Sequence, residues 1–214
     1  MNIGNIEKAR QKYISFDIFD TLLYRDVSDY RQIFKLTEKK LCKKDADRFK
    51  NFYRERTEAQ KKAQSSSKTE ATLEDIYNNT SYSTEEKILA EKIETETELE
   101  HLHADNILVH QLKKLKAEGK KILIISDMYL DAETLGSFLK CREIPYDRLY
   151  VSSELQMRKG NGKLFDHVLE DLKIRKKDLL HIGDNYRSDF LIPRSKGISS
   201  ILYKNYILDK KLDK

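Results

Sequence analysis

Two prolines and seven glycines are few for 214 residues, and that scarcity argues against an all-β chain, which needs many tight turns. Cysteine is nearly absent as well. Cys42 and Cys141 stand far apart with no CxxC pair, so neither a zinc site nor a disulfide framework is indicated. Long apolar runs are missing: no segment approaches the ~18 residues that a membrane span requires, and Met1 to Arg10 lacks the apolar stretch of a signal peptide. The expectation is a reduced, soluble, cytoplasmic protein. Charge of one sign is in only small excess, since 41 basic and 36 acidic residues leave +5. Lysine pairs such as Lys39-Lys40 and Lys120-Lys121 are dispersed among acidic neighbours, whereas nucleic-acid binders gather their excess on one face. Neither a nucleic-acid nor a membrane partner is expected.

What is present fits a modest core wrapped in charged helical surface: 39% of residues are apolar and 36% charged. The length allows one domain carrying a smaller inserted one. Two textures divide the chain. Residues 12–22 and about 105–205 carry short apolar runs alternating with helical patterns, the βα signature of a parallel sheet. Strands are expected at Tyr13 to Asp17, Lys121 to Ser126, Arg148 to Ser152, Asp178 to Gly183 and Ile198 to Tyr203. Between them, Asn106 to Glu118 reads as a helix closed by Gly119, Asp131 reads as a helix cap, and Leu164 to Leu172 as a further helix. Residues 27–104 look helical throughout, with a loop at Ser65-Ser66-Ser67, a short helix at Thr72 to Asn78 and a capping box at Ser83 and Glu86. The predicted fold class is α/β: a Rossmann-like parallel sheet, residues 1–26 and 105–214, with helices on both faces and an all-helical cap, residues 27–104, inserted.

In an open parallel sheet, ligands bind outside the carboxyl ends of the strands, so polar residues directly after apolar strands carry the functional signal. Four segments qualify: Asp17-Ile18-Phe19-Asp20-Thr21, Ser126-Asp127, Lys159 in Lys159-Gly160-Asn161-Gly162-Lys163-Leu164-Phe165, and Gly183-Asp184 with Asp189 five positions on. Singly, each has an ordinary explanation as a cap, turn or surface residue. Their order and placement at strand ends are harder to explain that way.

That ordered set resembles the haloacid-dehalogenase (HAD) superfamily, whose members carry an Asp strand end, a Ser or Thr strand end, a Lys and an acidic Gly-Asp motif. The resemblance covers both sheet segments, about half the chain. It implies that Asp17 is a nucleophile forming an aspartyl-phosphate, with Lys159 beside it. It implies a phosphate-binding set of Thr21, Ser126, Asp127 and Lys159, and Mg²⁺ held by Asp17, the Phe19 carbonyl, Asp184 and Asp189, the last as ligand or as support. The residue types suit that chemistry. A carboxylate attacking a phosphate dianion meets repulsion of about 4 kcal/mol per unit charge at ~4 Å and an effective dielectric near 20. A divalent cation and a lysine offset it.

One departure matters. Phosphatases of the superfamily place a general acid and base two residues after the nucleophile; here that residue is Phe19, and the extra carboxylate, Asp20, follows it. General acid–base catalysis typically contributes ~10²–10⁴-fold, so turnover is expected to be low unless Asp20 substitutes. Three readings follow. The first is a Mg²⁺-dependent phosphomonoesterase acting on a small phosphorylated metabolite. Similar-looking sequences with this Phe-Asp-Ile-Phe-Asp-Thr-Leu segment occur near glycosyltransferases of surface-polysaccharide synthesis, which suggests a sugar phosphate and association with such enzymes. The second is a weakly active or inactive module binding a phosphorylated ligand or a partner protein. The third is a 2-haloacid dehalogenase, a group that often carries an aromatic residue at the Phe19 position but typically lacks the metal-binding Asp at position 184.

Other residues attract attention less. His101, His103 and Asp105 are two apart, and on a helix such residues face different directions. His181 lies in an apolar strand and reads as a hydrogen-bonded core residue. Arg25 suits either an anionic substrate or a cap carboxylate.

Overall fold

The computed structural model describes residues 6–67 and 69–204. The chain forms two compact units, Met1–Tyr24 with His103–Lys214, and Arg25–Leu102. Its strands are β1 (Tyr13–Phe16), β2 (Leu23–Arg25), β3 (Leu102–Ala104), β4 (Lys121–Ser126), β5 (Arg148–Val151), β6 (Leu179–Gly183) and β7 (Ser199–Leu202).

Five of these make one sheet in the order β5-β4-β1-β6-β7, with every neighbouring pair parallel. Each strand is short and largely apolar, and β1, β4 and β6 are almost wholly buried, as expected where helices cover both faces. The first unit's longer helices are α5 (Asn106–Ala117), α6 (Ala132–Cys141) and α7 (Lys163–Asp171), numbered after the four described below, with a single helical turn at Ser152–Leu155. Their ends follow from local chemistry. Asp105 accepts from the amides of Ile107 and Leu108 at the start of α5, and Asp131 accepts from Thr134 N at 2.7 Å at the start of α6. Gly119 ends α5 at φ +84°, a conformation that costs glycine nothing. After β6 comes a π-helical turn, Tyr186–Leu191, running into the single α-turn Ile192–Ser195.

The topology locates the functional edge. From β1 the chain passes to β4 and β5 on one side, then returns to β6 and β7 on the other. Strand order therefore reverses between β1 and β6, and the crevice outside their carboxyl ends is where ligands bind in such sheets. This is a Rossmann-like α/β fold.

The second unit is helical: α1 (Arg31–Cys42), α2 (Phe52–Ser66), α3 (Leu73–Asn78) and α4 (Thr84–His101), with one turn at Ala46–Phe49. Capping boxes open α3, through Thr72 and Asp75, and α4, through Ser83 and Glu86. The serine run expected as a loop at 65–67 is instead the end of α2, because Ser67 N still bonds to Ala63 O at 2.9 Å. A core of Phe34, Leu41, Phe49, Phe52, Tyr77, Tyr82, Ala90 and Ile93 surrounds a buried ion pair. Arg56, fully buried, donates two 2.8 Å hydrogen bonds to Glu94, which also accepts from the Tyr77 hydroxyl.

The two crossings, β2 and β3, pair as a separate two-stranded ribbon. The units divide two residues before the expected positions 26/27 and 104/105. At the first boundary Arg25 binds Glu98 (2.6 Å) and Asp26 binds His101 (2.7 Å), which ties both residues to the helical unit. Among the described residues, no helix is long and apolar enough to cross a membrane.

Candidate active site

Asp17 immediately follows β1, and its backbone N–H continues the ladder to Ile182 O at 2.9 Å. The chain then turns sharply. Asp20 adopts φ +57°, an uncommon value that aspartate tolerates better than most residues. Its N–H donates to Leu23 O (2.7 Å), while Leu23 N donates to Ile18 O (2.8 Å). Phe19 and Asp20, both half-buried, occupy this turn, and the Asp20 carboxylate is close enough to Asp184 to raise its pKa.

Lys159 reaches the same place from the single 3₁₀ turn Lys159–Asn161 ahead of α7. Its side chain is 3% exposed, and Nζ lies 2.6 Å from Asp17 Oδ1 and 2.7 Å from Asp189 Oδ1. The loop that carries it is fixed by Asp127, whose carboxylate accepts from Lys159 N at 2.8 and 3.1 Å. The Asp127 carboxylate is thus engaged with the lysine loop.

Asp184 follows β6 and accepts from the buried Thr21 hydroxyl at 3.2 Å. Thr21 therefore orients a carboxylate in this structure. Asp189 comes from the π-helical turn and is fully buried. Oδ1 receives Lys159, His181 Nε2 (3.2 Å) and the Ser188 hydroxyl (3.4 Å), and Oδ2 receives Asn185 N (3.0 Å). Both oxygens are thus engaged by the protein, which suits support of the lysine better than direct metal ligation. Gly183 makes the arrangement sterically possible: a Cβ there would lie 2.5 Å from Asp189 Cγ.

His181 is fully buried between Asp189 and the Ser15 hydroxyl, 2.8 Å from its Nδ1. Burial lowers its pKa despite the Asp189 hydrogen bond. In the neutral ring, Nε2–H donates to Asp189 and Nδ1 accepts from Ser15, a tautomer that satisfies all three groups. Nothing in the spacing of Ser15, His181 and Asp189 announced this chain of contacts. Their strand register does, since Ser15 pairs with His181 across β1 and β6.

Electrostatics marks the site as short of positive charge. Ligand oxygens of Asp17, Asp184 and Asp189 lie within 4.8 Å of one another, with Lys159 as their shared cation. Burial raises Asp17 to about 7 against the pull of Lys159, with Asp189 and Asp184 adding to the rise. Burial, Asp189 and Asp20 likewise raise Asp184 to about 6. Lys159 loses by burial but is held above its usual value by Asp17, Asp189 and Asp127. An all-oxygen, anion-rich donor set of this kind fits a hard divalent cation. Finally, Ser126, at the end of β4 beside β1, has a buried hydroxyl with no hydrogen-bond partner among the described residues. Buried hydroxyls are rarely left so, and an oxyanion ligand would supply the partner.

The remaining histidines and acids do not join this cluster. His101 pairs with Asp26, His103 packs against Tyr24, and Asp105 caps α5 and accepts from the Tyr203 hydroxyl at 2.6 Å.

Solved structures with this fold include a 2-haloacid dehalogenase from Pseudomonas syringae pv. tomato (TM-score 0.61, 16% identity, 90% of this chain and 86% of that one). A second is YfnB from Bacillus subtilis, assigned to the HAD hydrolases and solved with magnesium (0.61, 16%, 91% and 89%). A third is a predicted phosphoglycolate phosphatase from Haemophilus somnus (0.56, 13%, 91% and 85%). No curated protein matches the chain significantly by sequence. The family model for haloacid dehalogenase-like hydrolases matches residues 11–192, and with the strand-end cluster in place the chain belongs to that family.

Proposed function

We propose that the protein is a Mg²⁺-dependent phosphomonoesterase of the cytoplasm, acting on a small phosphorylated metabolite such as a sugar phosphate. The observation that carries this reading is the combination of Lys159 among converging carboxylates with a Ser126 hydroxyl, at the adjacent strand end, that has no partner among the described residues. Asp17 and Asp184, with the Phe19 carbonyl between them in the first motif, would hold the metal. Mg²⁺ when bound supplies Lewis-acid charge neutralisation for the phosphate and the attacking carboxylate.

The chain's own residues account for the rest. Ser126 donates its hydroxyl to a phosphate oxygen. Lys159, anchored by Asp189, holds Asp17 in place and offsets the negative charge that accumulates as Asp17 Oδ attacks phosphorus. The phosphorus–oxygen bond to the alcohol breaks as the aspartyl-phosphate forms, and water then cleaves that intermediate, returning Asp17 and releasing phosphate. Protonation of the leaving alcohol falls to Asp20 in this reading, because Phe19 has no proton to give. The helical unit selects the substrate, by likeness to family members with an insertion at the same point.

Two alternatives have specific support. Phe19 favours a weakly active or inactive phosphate-binding module, and an aromatic residue at that position also occurs in dehalogenases. Asp184 within the acidic cluster argues against dehalogenation, which needs no metal. A phosphatase screen with Mg²⁺, comparing wild type with Asp17→Asn, separates them. Mg²⁺-dependent hydrolysis abolished by the substitution supports the phosphatase; binding without turnover in either protein supports the module; halide release in EDTA supports the dehalogenase.

A further inference from the structure

At the opposite end of the sheet lies a cavity of about 620 Å³, bordered by Lys8, Arg10, Gln11, Arg194, Ser199 and Ser200. It opens beside Leu180, near the start of β6, whereas Asp184 follows the end of that strand. Four residues of strand separate the two levels, about 13 Å at ~3.3 Å per residue. Among the described residues the lining includes three cationic side chains and no acidic one.

We infer that this cavity binds a small polyphosphate-type oxyanion, at a site distinct from the strand-end cluster. Three features support it. First, Lys8 and Arg10 make no ion pair among the described residues, although their neighbours do: Glu7 is taken by Lys114 (3.4 Å) and Lys196 by Asp166 (2.6 Å). Second, the cations sit on fixed supports. Lys120 Nζ donates to Ala9 O and Gln11 O, both at 2.9 Å, clamping the segment that carries Lys8 and Arg10. Arg194 is held by hydrogen bonds from Nε to Ser200 Oγ (3.2 Å) and from the terminal nitrogen to Ser200 O (3.1 Å), with its plane 4.1 Å over the Phe190 ring. A guanidinium already held in place gives up little freedom on binding, and its remaining N–H groups match phosphate oxygens. Third, neutral donors complete the lining. Gln11 donates to Ser199 Oγ at 3.2 Å, which leaves the Ser199 O–H to donate to a ligand.

A cavity of this size accommodates a diphosphate-bearing metabolite, and several cations in one cavity favour a multiply charged anion over a monovalent one. Among the described residues its lining has no carboxylate to hold a metal, so the inference is one of binding.

The test is an amide NMR titration of the full chain with inorganic pyrophosphate in EDTA, which needs no turnover and so stands apart from the phosphatase reading. Saturable shifts are expected at Gly197, Ser199 and Ile201. They should weaken at least about tenfold in Lys8→Gln/Arg10→Gln, consistent with the loss of two charge-assisted contacts, and persist in Ser126→Ala. Both positions of the double variant are exposed, and the spectrum itself reports that it is folded. Shifts confined to Ser126–Asp127 and Lys159–Gly162, or shifts at 197–201 unchanged in the double variant, overturn the inference.

Discussion

Lys159 Nζ lies as close to Asp189 as to Asp17, at 2.7 and 2.6 Å. Asp17 is the proposed nucleophile and Asp189 is sealed in the core, so Asp189 helps set where the lysine stands. Asp189→Asn keeps the shape but removes the charge. It is expected to lower kcat toward an aryl phosphate about 10–100-fold, the range typical of residues that orient a site's direct ligands, with a smaller change in KM. Steady-state kinetics at saturating Mg²⁺ checks this, and an unchanged kcat would remove Asp189 from the machinery.

The raised carboxylates bear on stability. Asp17 and Asp184, ordinarily near 3.8, sit at about 7 and about 6 in the folded chain. Folded protein therefore binds their protons more tightly than unfolded protein does. This contribution is complete below pH ~4 and is lost as pH rises through 6 and 7. These two carboxylates make metal-free protein lose stability between pH 5 and pH 8, against the opposite pull of His181, whose pKa burial lowers; relative to wild type, Asp184→Asn should lose less stability over that range. Mg²⁺ should raise Tm more at pH 8 than at pH 5. Calorimetric melts across this range decide the matter, and a Mg²⁺ effect independent of pH contradicts it.

Ser126 offers a trade between stability and activity. Its buried hydroxyl lacks a partner among the described residues, and an unsatisfied buried polar group costs about 1–3 kcal/mol. Ser126→Ala should leave the empty protein as stable as wild type or up to about 1 kcal/mol more stable, while weakening inorganic phosphate binding. Urea unfolding and phosphate titration measure the two effects. Destabilisation by the alanine would mean that the hydroxyl is already satisfied.

In the helical unit, Glu94→Ala would remove both charge-assisted hydrogen bonds that Arg56, buried at 0% exposure, makes to that carboxylate. Breaking one side of a buried pair typically costs 3–5 kcal/mol, and a loss of about that size is expected in chemical denaturation.

Much of this architecture was legible beforehand, for particular reasons. Ile122 to Ile125 is uninterrupted and apolar, which few arrangements other than a covered strand explain, and Ser126 and Asp127 then stand at its end by arithmetic. Ser83 and Glu86 announced α4 because a reciprocal cap has a fixed spacing. The ribbon of β2 and β3 escaped notice because three residues give no periodicity to read. The grip of Asp127 on the lysine loop escaped, and Asp189 stayed open between ligand and support, for another reason: a carboxylate's role depends on what donates to it. The amide of Lys159 is 32 residues from Asp127, and no spacing rule reports that contact.

The π-helical turn at Tyr186–Leu191 carries a further consequence. It winds more widely than an α-helix, and within it Asp189 faces fully inward while Tyr186 and Leu191 stand 58% and 42% exposed. Removing one residue would rotate everything beyond the cut by somewhat less than the ~100° per residue of an α-helix, turning the acid away from its inward position. Insertions and deletions in this segment therefore face a stricter filter than its surface location suggests, and length changes are better absorbed after Ile192, where the chain has already resumed ordinary helical winding.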